Sequence, residues 1–290
     1  MPVSQKYLQA LGDCLTYHQI IGAPTEVTTR NLAHRIMDFQ ANAGLRVDGI
    51  CGPQTLWALQ FPIVMEHPKL PLVTCKADYV QGIDGFESLG LRQDAANAYQ
   101  AIHRNIISQG GVITTSGGLR SLSTEVNSHR SATSLHYTGL AFDLAVSSGS
   151  FEPDSDPFVI SRHPDRERYW DVWCRAGEGS PISIEAIHHS GPWARITIRR
   201  KNIQGLFIDF SQACIDEGFF PISPRKGYLN RRMYMSSEWW HFQYESPLIE
   251  NFSQFGIELL RIEGYTPSYI QEQSSNVWSN RKAIFGQNWI

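Results

Sequence analysis

The segment Ser134-Leu135-His136-Tyr137-Thr138-Gly139-Leu140-Ala141-Phe142-Asp143-Leu144-Ala145-Val146 decides how the larger part of this chain is read. From Leu140 to Val146 the pattern alternates, with Leu140, Phe142, Leu144 and Val146 on one face of a predicted strand and Ala141, Asp143 and Ala145 on the other. An acid between two alanines suits a pocket floor, where small neighbours leave room for a metal and a substrate. An unbroken strand would put His136 on the opposite face from Asp143, and Gly139 permits the bend that brings it round. Imidazole nitrogen and carboxylate oxygen are ordinary zinc ligands, and a catalytic zinc takes three protein ligands and keeps one position open.

A third ligand has to come from elsewhere in the chain. The stretch Ser237-Glu238-Trp239-Trp240-His241-Phe242-Gln243-Tyr244 offers it. As a strand over 239–244 it packs Trp240, Phe242 and Tyr244 into the core and turns His241 and Gln243 to the pocket. Glu238 stands just before that strand, close enough to take a proton from water activated beside the ion without ligating the ion itself. Taken singly, each residue has a plainer role: His136 as a hydrogen-bonded core side chain, Asp143 as a turn or cap, Glu238 in solvent, Arg120 paired to a carboxylate. The metal reading rests on two separate motifs with the right residue types in the right order. His129, His163, His188 and His189 lack such company and are read as surface or structural residues.

Outward from these motifs, the spacing predicts a helix over 86–109, with Leu91, Ala95, Ala98 and Ile102 on one stripe and Gly110-Gly111 ending it. A short strand, 112–115, then runs into the Ser116-Gly117-Gly118 loop and Arg120. Residues 147–200 are rich in turns and aromatics and give no clear assignment, apart from alternation around 195–201 that reads as a strand with one solvated face. A helix near 205–217 and the strand near 239–244 close this part, and 251–290 form a tail without a usable motif. Towards the N-terminus, helices are predicted near 4–18 and across 28–60. The latter stretch is split by Gly44 and the Asp48-Gly49 turn, and Gly52-Pro53 opens its second helix. The prolines at 62, 68 and 71 mark a linker.

Composition narrows the function. With 290 residues, 42% apolar, the chain can bury a real core. A net charge of -3 argues against a dedicated nucleic-acid binder, which needs surplus Lys and Arg to neutralise phosphate. Five cysteines without a C-x-x-C pair suggest packed thiols rather than a disulfide framework or a cysteine zinc site. No cationic, apolar leader opens the sequence, and no apolar run is long enough for a bilayer, so neither a signal peptide nor a membrane segment is expected.

Two resemblances follow from residues already quoted. Phe39-Gln40, Gly44-Leu45, Val47-Asp48-Gly49-Ile50, Gly52-Pro53 and Thr55 resemble the three-helix peptidoglycan-binding module of many cell-wall hydrolases. S-x-H-x-x-G-x-A-x-D followed much later by E-x-x-H resembles the D-alanyl-D-alanine metallopeptidases, related to lysostaphin and to the Hedgehog fold. That second resemblance extends over about residues 78–246 and takes in Leu91–Ala96 and Ser116–Arg120. It implies an α+β fold, an antiparallel-sheet zinc peptidase domain with flanking helices. It further implies one Zn2+ held by His136, Asp143 and His241, Glu238 as general base and then acid, Arg120 stabilising the oxyanion, and Ser134 contacting substrate. Glu-Trp-Trp-His is most similar to the D-Ala-D-Ala dipeptidase branch, and the long segment 147–200 departs from the compact members.

The expected organisation is therefore a peptidoglycan-binding-like helical domain over 1–62, a linker over 63–77, the peptidase domain over 78–250 and an extension over 251–290. The expected activity is hydrolysis of a peptide bond involving D-amino acids in peptidoglycan or a muropeptide, by a monomer with no nucleic-acid or membrane partner. A lysin, a toxin delivered to another cell, or a recycling enzyme acting on small precursors all suit the absence of a leader. Other hydrolase signatures are missing: there is no H-E-x-x-H, no G-x-S-x-G and no P-loop. Ser223-Pro224-Arg225-Lys226 matches S-x-x-K of serine-type penicillin-binding enzymes, but its K-T-G partner is absent. A wall-binding protein without activity is the non-enzymatic alternative.

Overall fold

A computed structural model describes residues 5–20, 29–52, 55, 58–59, 70–126, 130, 134–165, 169–190, 197–222, 237–248, 258–259, 262–265, 269 and 272. The fold is mixed α+β with antiparallel sheets. Spatial proximity divides the chain into two compact units, 1–69 with 121–138 and 247–290, and 70–120 with 139–246.

In the first unit, α1 (Gln5–Tyr17) and α2 (Thr29–Asn42) bury Leu11, Cys14 and Leu15 against Ile36, Phe39 and Leu59. Gly44, at φ 66, ends α2, and the Leu45 amide reaches back to the Gln40 carbonyl at 2.8 Å. This is the closure that a left-handed residue after a helix provides. The Asp48-Gly49 turn is organised by one buried side chain. The Gln40 amide nitrogen donates to Asp48 Oδ1 (2.9 Å), Ile50 O (3.1 Å) and Thr55 Oγ1 (3.0 Å), and its oxygen accepts from the Asp48 and Gly49 amides (3.0 and 2.9 Å). The Ile50 amide and then Gln40 hold the Asp48 carboxyl below its usual range. Of the predicted third helix, Thr55, Ala58 and Leu59 are helical, and the rest lies outside the described residues.

The second unit begins with β1 (Leu72–Lys76) paired antiparallel to β2 (Ser88–Arg92), followed directly by α3 (Gln93–Ser108). The helix predicted over 86–109 thus starts later than its periodicity suggests. Leu89 and Leu91, buried on either side of Gly90, follow the two-residue period of a strand, and the ladder to β1 claims them. Within α3 the buried set Ala95, Ala98, Tyr99, Ile102 and Ile106 keeps the helical stripe. Asp94 receives two bonds from the Arg92 guanidinium (2.7 and 2.6 Å), which outweigh the opposing effect of burial and leave its carboxyl below the usual range. Residues 112–115 form no strand ladder. Ile113 is tied instead to the Asp78 carboxylate (2.8 Å), and Thr115 makes a single bridge to Phe86.

The segment without clear assignment is largely a three-stranded sheet, β4 (Phe158–Arg162), β5 (Trp170–Ser190) and β6 (Thr197–Asp209), in the order β4-β5-β6. The register shifts between Arg175 and Ser180, where a Cβ on Gly179 would come 2.6 Å from the Phe207 carbonyl oxygen. Strand β6 runs to Asp209, so the helix expected near 205–217 is only α4 (Phe210–Asp216). Its start is set by Asp209, whose side chain accepts from the Gln212 amide at 2.8 Å.

The second sheet has the order β3-β8-β7, from Ala141–Asp143, His241–Tyr244 and Phe219–Pro221. Its core is aromatic: Phe142 stacks on Phe242 at 5.6 Å and meets Phe219 and Tyr99 edge-on at 5.0 and 5.3 Å. The strand expected over Leu140–Val146 is thus three residues long. Leu140, Ala141, Phe142, Leu144 and Ala145 are all fully buried, so neither face is solvated, and the chain turns into a 3-10 helix at Val146–Ser148. The five cysteines form no disulfide.

Candidate metal centre

Strands β3 and β8 pair so that Asp143 stands directly opposite His241. Directly opposed residues of an antiparallel pair present their side chains on one face, within contact distance. Asp143 Oδ1 accordingly lies 2.9 Å from His241 Nδ1. The acid's backbone is fixed on its other edge. The Asp143 amide donates to Gly117 O at 2.9 Å, while its carbonyl accepts from the Ser116 amide (3.0 Å) and from the buried Thr115 hydroxyl (2.7 Å).

His136 comes from a buried 3-10 turn, Leu135–Thr138. Gly139 follows at φ 70, and a Cβ there would come 2.7 Å from the Arg92 amide nitrogen and 2.9 Å from Leu72 Cδ2. Both the conformation and the space demand glycine at this bend. Candidate ligand atoms of His136, Asp143 and His241 all lie within 4.8 Å of one another. Two imidazoles and a carboxylate gathered this closely are a chemically suitable donor set for a divalent cation.

The other predicted residues lie on segments that hydrogen bonds tie to these three residues. Glu238 begins a tight turn in which the His241 amide donates to the Glu238 carbonyl at 3.1 Å. Its φ is 46, a conformation that non-glycine residues rarely hold and that surrounding structure must enforce. Trp239 and Trp240 within the turn are buried. Arg120 is half-buried and ends the loop whose Gly117 bridges Asp143 and whose Leu119 amide donates to Gly90 O at 2.7 Å. Ser134 Oγ accepts from the His136 amide at 3.3 Å, at the start of the turn that carries His136. Thr115, which holds the Asp143 backbone, is a site residue that the motifs do not reveal. The Thr114-Thr115 pair ahead of the glycine loop is its one signal in the sequence. Ser223–Lys226 and His129 lie outside the described residues.

His189 is buried in β5, 3.3 Å from Ser150 Oγ, and burial pushes its imidazole down to about 4. The lowered value favours a neutral ring there.

Residues 3–59 match the family model "Putative peptidoglycan binding domain". The match supports an N-terminal peptidoglycan-binding module, and with it peptidoglycan as a partner and a cell-wall-associated function. No curated protein and no solved structure matches the chain. Among the described residues no helix is long and apolar enough to cross a membrane.

Proposed function

We propose that this protein is a zinc-dependent peptidoglycan peptidase of the D-alanyl-D-alanine metallopeptidase type. In this reading one Zn2+ is held by His136, Asp143 and His241. The observation that carries it is the convergence of those three side chains from separate parts of the sequence. The wall-binding module supports a polymeric or muropeptide substrate containing D-amino acids. One chain carries the whole ligand set, so a monomer suffices.

Zinc held by these side chains would supply Lewis acidity at the site. Glu238 would take a proton from the attacking water as its oxygen bonds to the scissile carbonyl, and would deliver that proton to the amine as the C–N bond breaks. The Arg120 guanidinium stabilises the negative charge that develops on the carbonyl oxygen. Ser134 orients the peptide. The strained Glu238 backbone supports this assignment, since such conformations are retained where a side chain must be aimed.

The test is mass spectrometry of muropeptides after digestion. Loss of hydrolysis with chelator and its return with zinc are expected. Labelling of Ser223 by a β-lactam would point to serine chemistry, and a zinc-loaded protein that cleaves no muropeptide would be a wall binder only. Glu238→Gln is expected to keep the metal and lose turnover. Metal lost with that substitution would make Glu238 a ligand and refute its role as general base.

A further inference from the structure

The β4-β5-β6 sheet is the part of the second unit that the family resemblance leaves unexplained, and a buried hydrogen bond ties it to the segment that enters the Glu238 turn. Trp170, the first residue of β5, donates its indole N–H to the Ser237 carbonyl at 3.0 Å, across 67 residues of sequence. Trp170 and Ser237 are 5% and 2% exposed. Both border a narrow pocket of about 10 Å3, shared with Trp239, Ile160, Ile187 and His189, which is scarcely room for one water. The bond is thus shielded from solvent competition, where a hydrogen bond is strongest. From the same side, Gly149 packs so closely on Trp239 that a Cβ would come 2.8 Å from the indole edge.

The peptide that Trp170 grips is the one entering Glu238. Fixing the Ser237 carbonyl fixes the plane of the Ser237–Glu238 peptide, and hence the rotation that sets φ at Glu238. A φ of 46 in a glutamate does not persist unless something holds it. The opposite end of the turn is closed by the His241 amide on the Glu238 carbonyl, which couples the turn to β8.

We propose that Trp170 is a positioning residue: through the Ser237 carbonyl it holds Glu238 in its strained conformation, so that the β4-β5-β6 sheet serves as the buttress of the reaction centre. This rests on Glu238 being the general base. The neighbouring Trp173 supplies a control on the same strand, since its indole donates to Ser161 Oγ at 2.9 Å and has no bond to the turn.

The experiment compares Trp170→Phe, which removes the N–H and keeps an aromatic ring, with Trp173→Phe in the full chain. Two readouts are taken: steady-state kinetics on a muropeptide with zinc content measured, and hydrogen exchange at the His241 amide. Trp170→Phe is expected to lower kcat about 10- to 100-fold with KM and zinc content little changed. The His241 amide is expected to exchange about tenfold faster. Trp173→Phe is expected to alter neither. If Trp170→Phe does not fold, benzothienylalanine at position 170, which replaces N–H by sulfur at nearly constant shape, gives the same comparison. Unchanged kcat and unchanged exchange would overturn the proposal, as would equal losses in both variants. Should the wild-type protein hydrolyse nothing, the peptidase reading fails, yet the exchange readout still decides whether Trp170 holds the turn.

Discussion

Replacing Gln40 with leucine removes one amide that serves five hydrogen bonds while keeping a side chain of similar size. Gln40 is 1% exposed, and its partners differ in their access to water. Asp48 and Ile50 stand at the surface, so solvent takes over much of what they lose. Thr55 is 5% exposed and the Gly49 amide is half-buried, so their lost bonds are replaced poorly. At about 1 kcal/mol for a neutral bond, and more where a group is left stranded, the change costs about 2–3 kcal/mol. Native-state hydrogen exchange on the full chain reads this directly. Amides of α1 and α2 that open with the module should exchange roughly 30- to 150-fold faster, since each 1.4 kcal/mol is tenfold. Retention on insoluble peptidoglycan should fall in parallel. A change in exchange below about threefold would show that Gln40 does not hold the Asp48-Gly49 turn, and the reasoning about the module would fail.

Stability should also depend on pH through His189. Its folded imidazole titrates near 4 against 6.5 for the free side chain, so between these values the unfolded chain binds the extra proton. Stability is therefore full above about pH 6.5 and is lost as pH falls towards 4, by about 1–3 kcal/mol. Urea midpoints at about pH 7.5 and about pH 4.5 check this, and a difference that survives His189→Phe would assign it elsewhere. Gly139→Ala should destabilise by about 2 kcal/mol or more, since the new Cβ meets the Arg92 amide and the backbone has positive φ. A cost below about 0.5 kcal/mol in urea unfolding would mean that the bend before β3 relaxes freely.

What the sequence reveals and what it hides have physical causes. His136, Asp143 and His241 are legible because residue chemistry and spacing survive tertiary packing: a histidine, a glycine that bends the chain, and an acid between alanines. The Asp48-Gly49 turn is legible for a similar reason, since few residues tolerate its backbone, and Gly49 has φ 70. The fold of 158–209 is not. Strand β5 alternates buried Val172, Cys174 and Ala176 with half-exposed residues, but its phase is broken between Arg175 and Ser180. Glycines and Pro181 at that break read locally as turns. Leu89-Gly90-Leu91 is absorbed into a predicted helix because Leu91 also fits the stripe of Ala95 and Ala98, and only pairing with β1 separates the two. The Trp170 bond to Ser237 has no sequence signal at all, because nothing local links positions so far apart.

Whether one ion is shared by three side chains is decided by counting zinc. Purified protein equilibrated with Zn2+ and freed of excess ion should retain one zinc per chain by elemental analysis, and so should Glu238→Gln. His136→Ala, Asp143→Ala and His241→Ala should each retain only a small fraction of that. Full zinc content in all three variants would mean that these side chains do not share a metal, and the metal centre proposed for this fold would be contradicted.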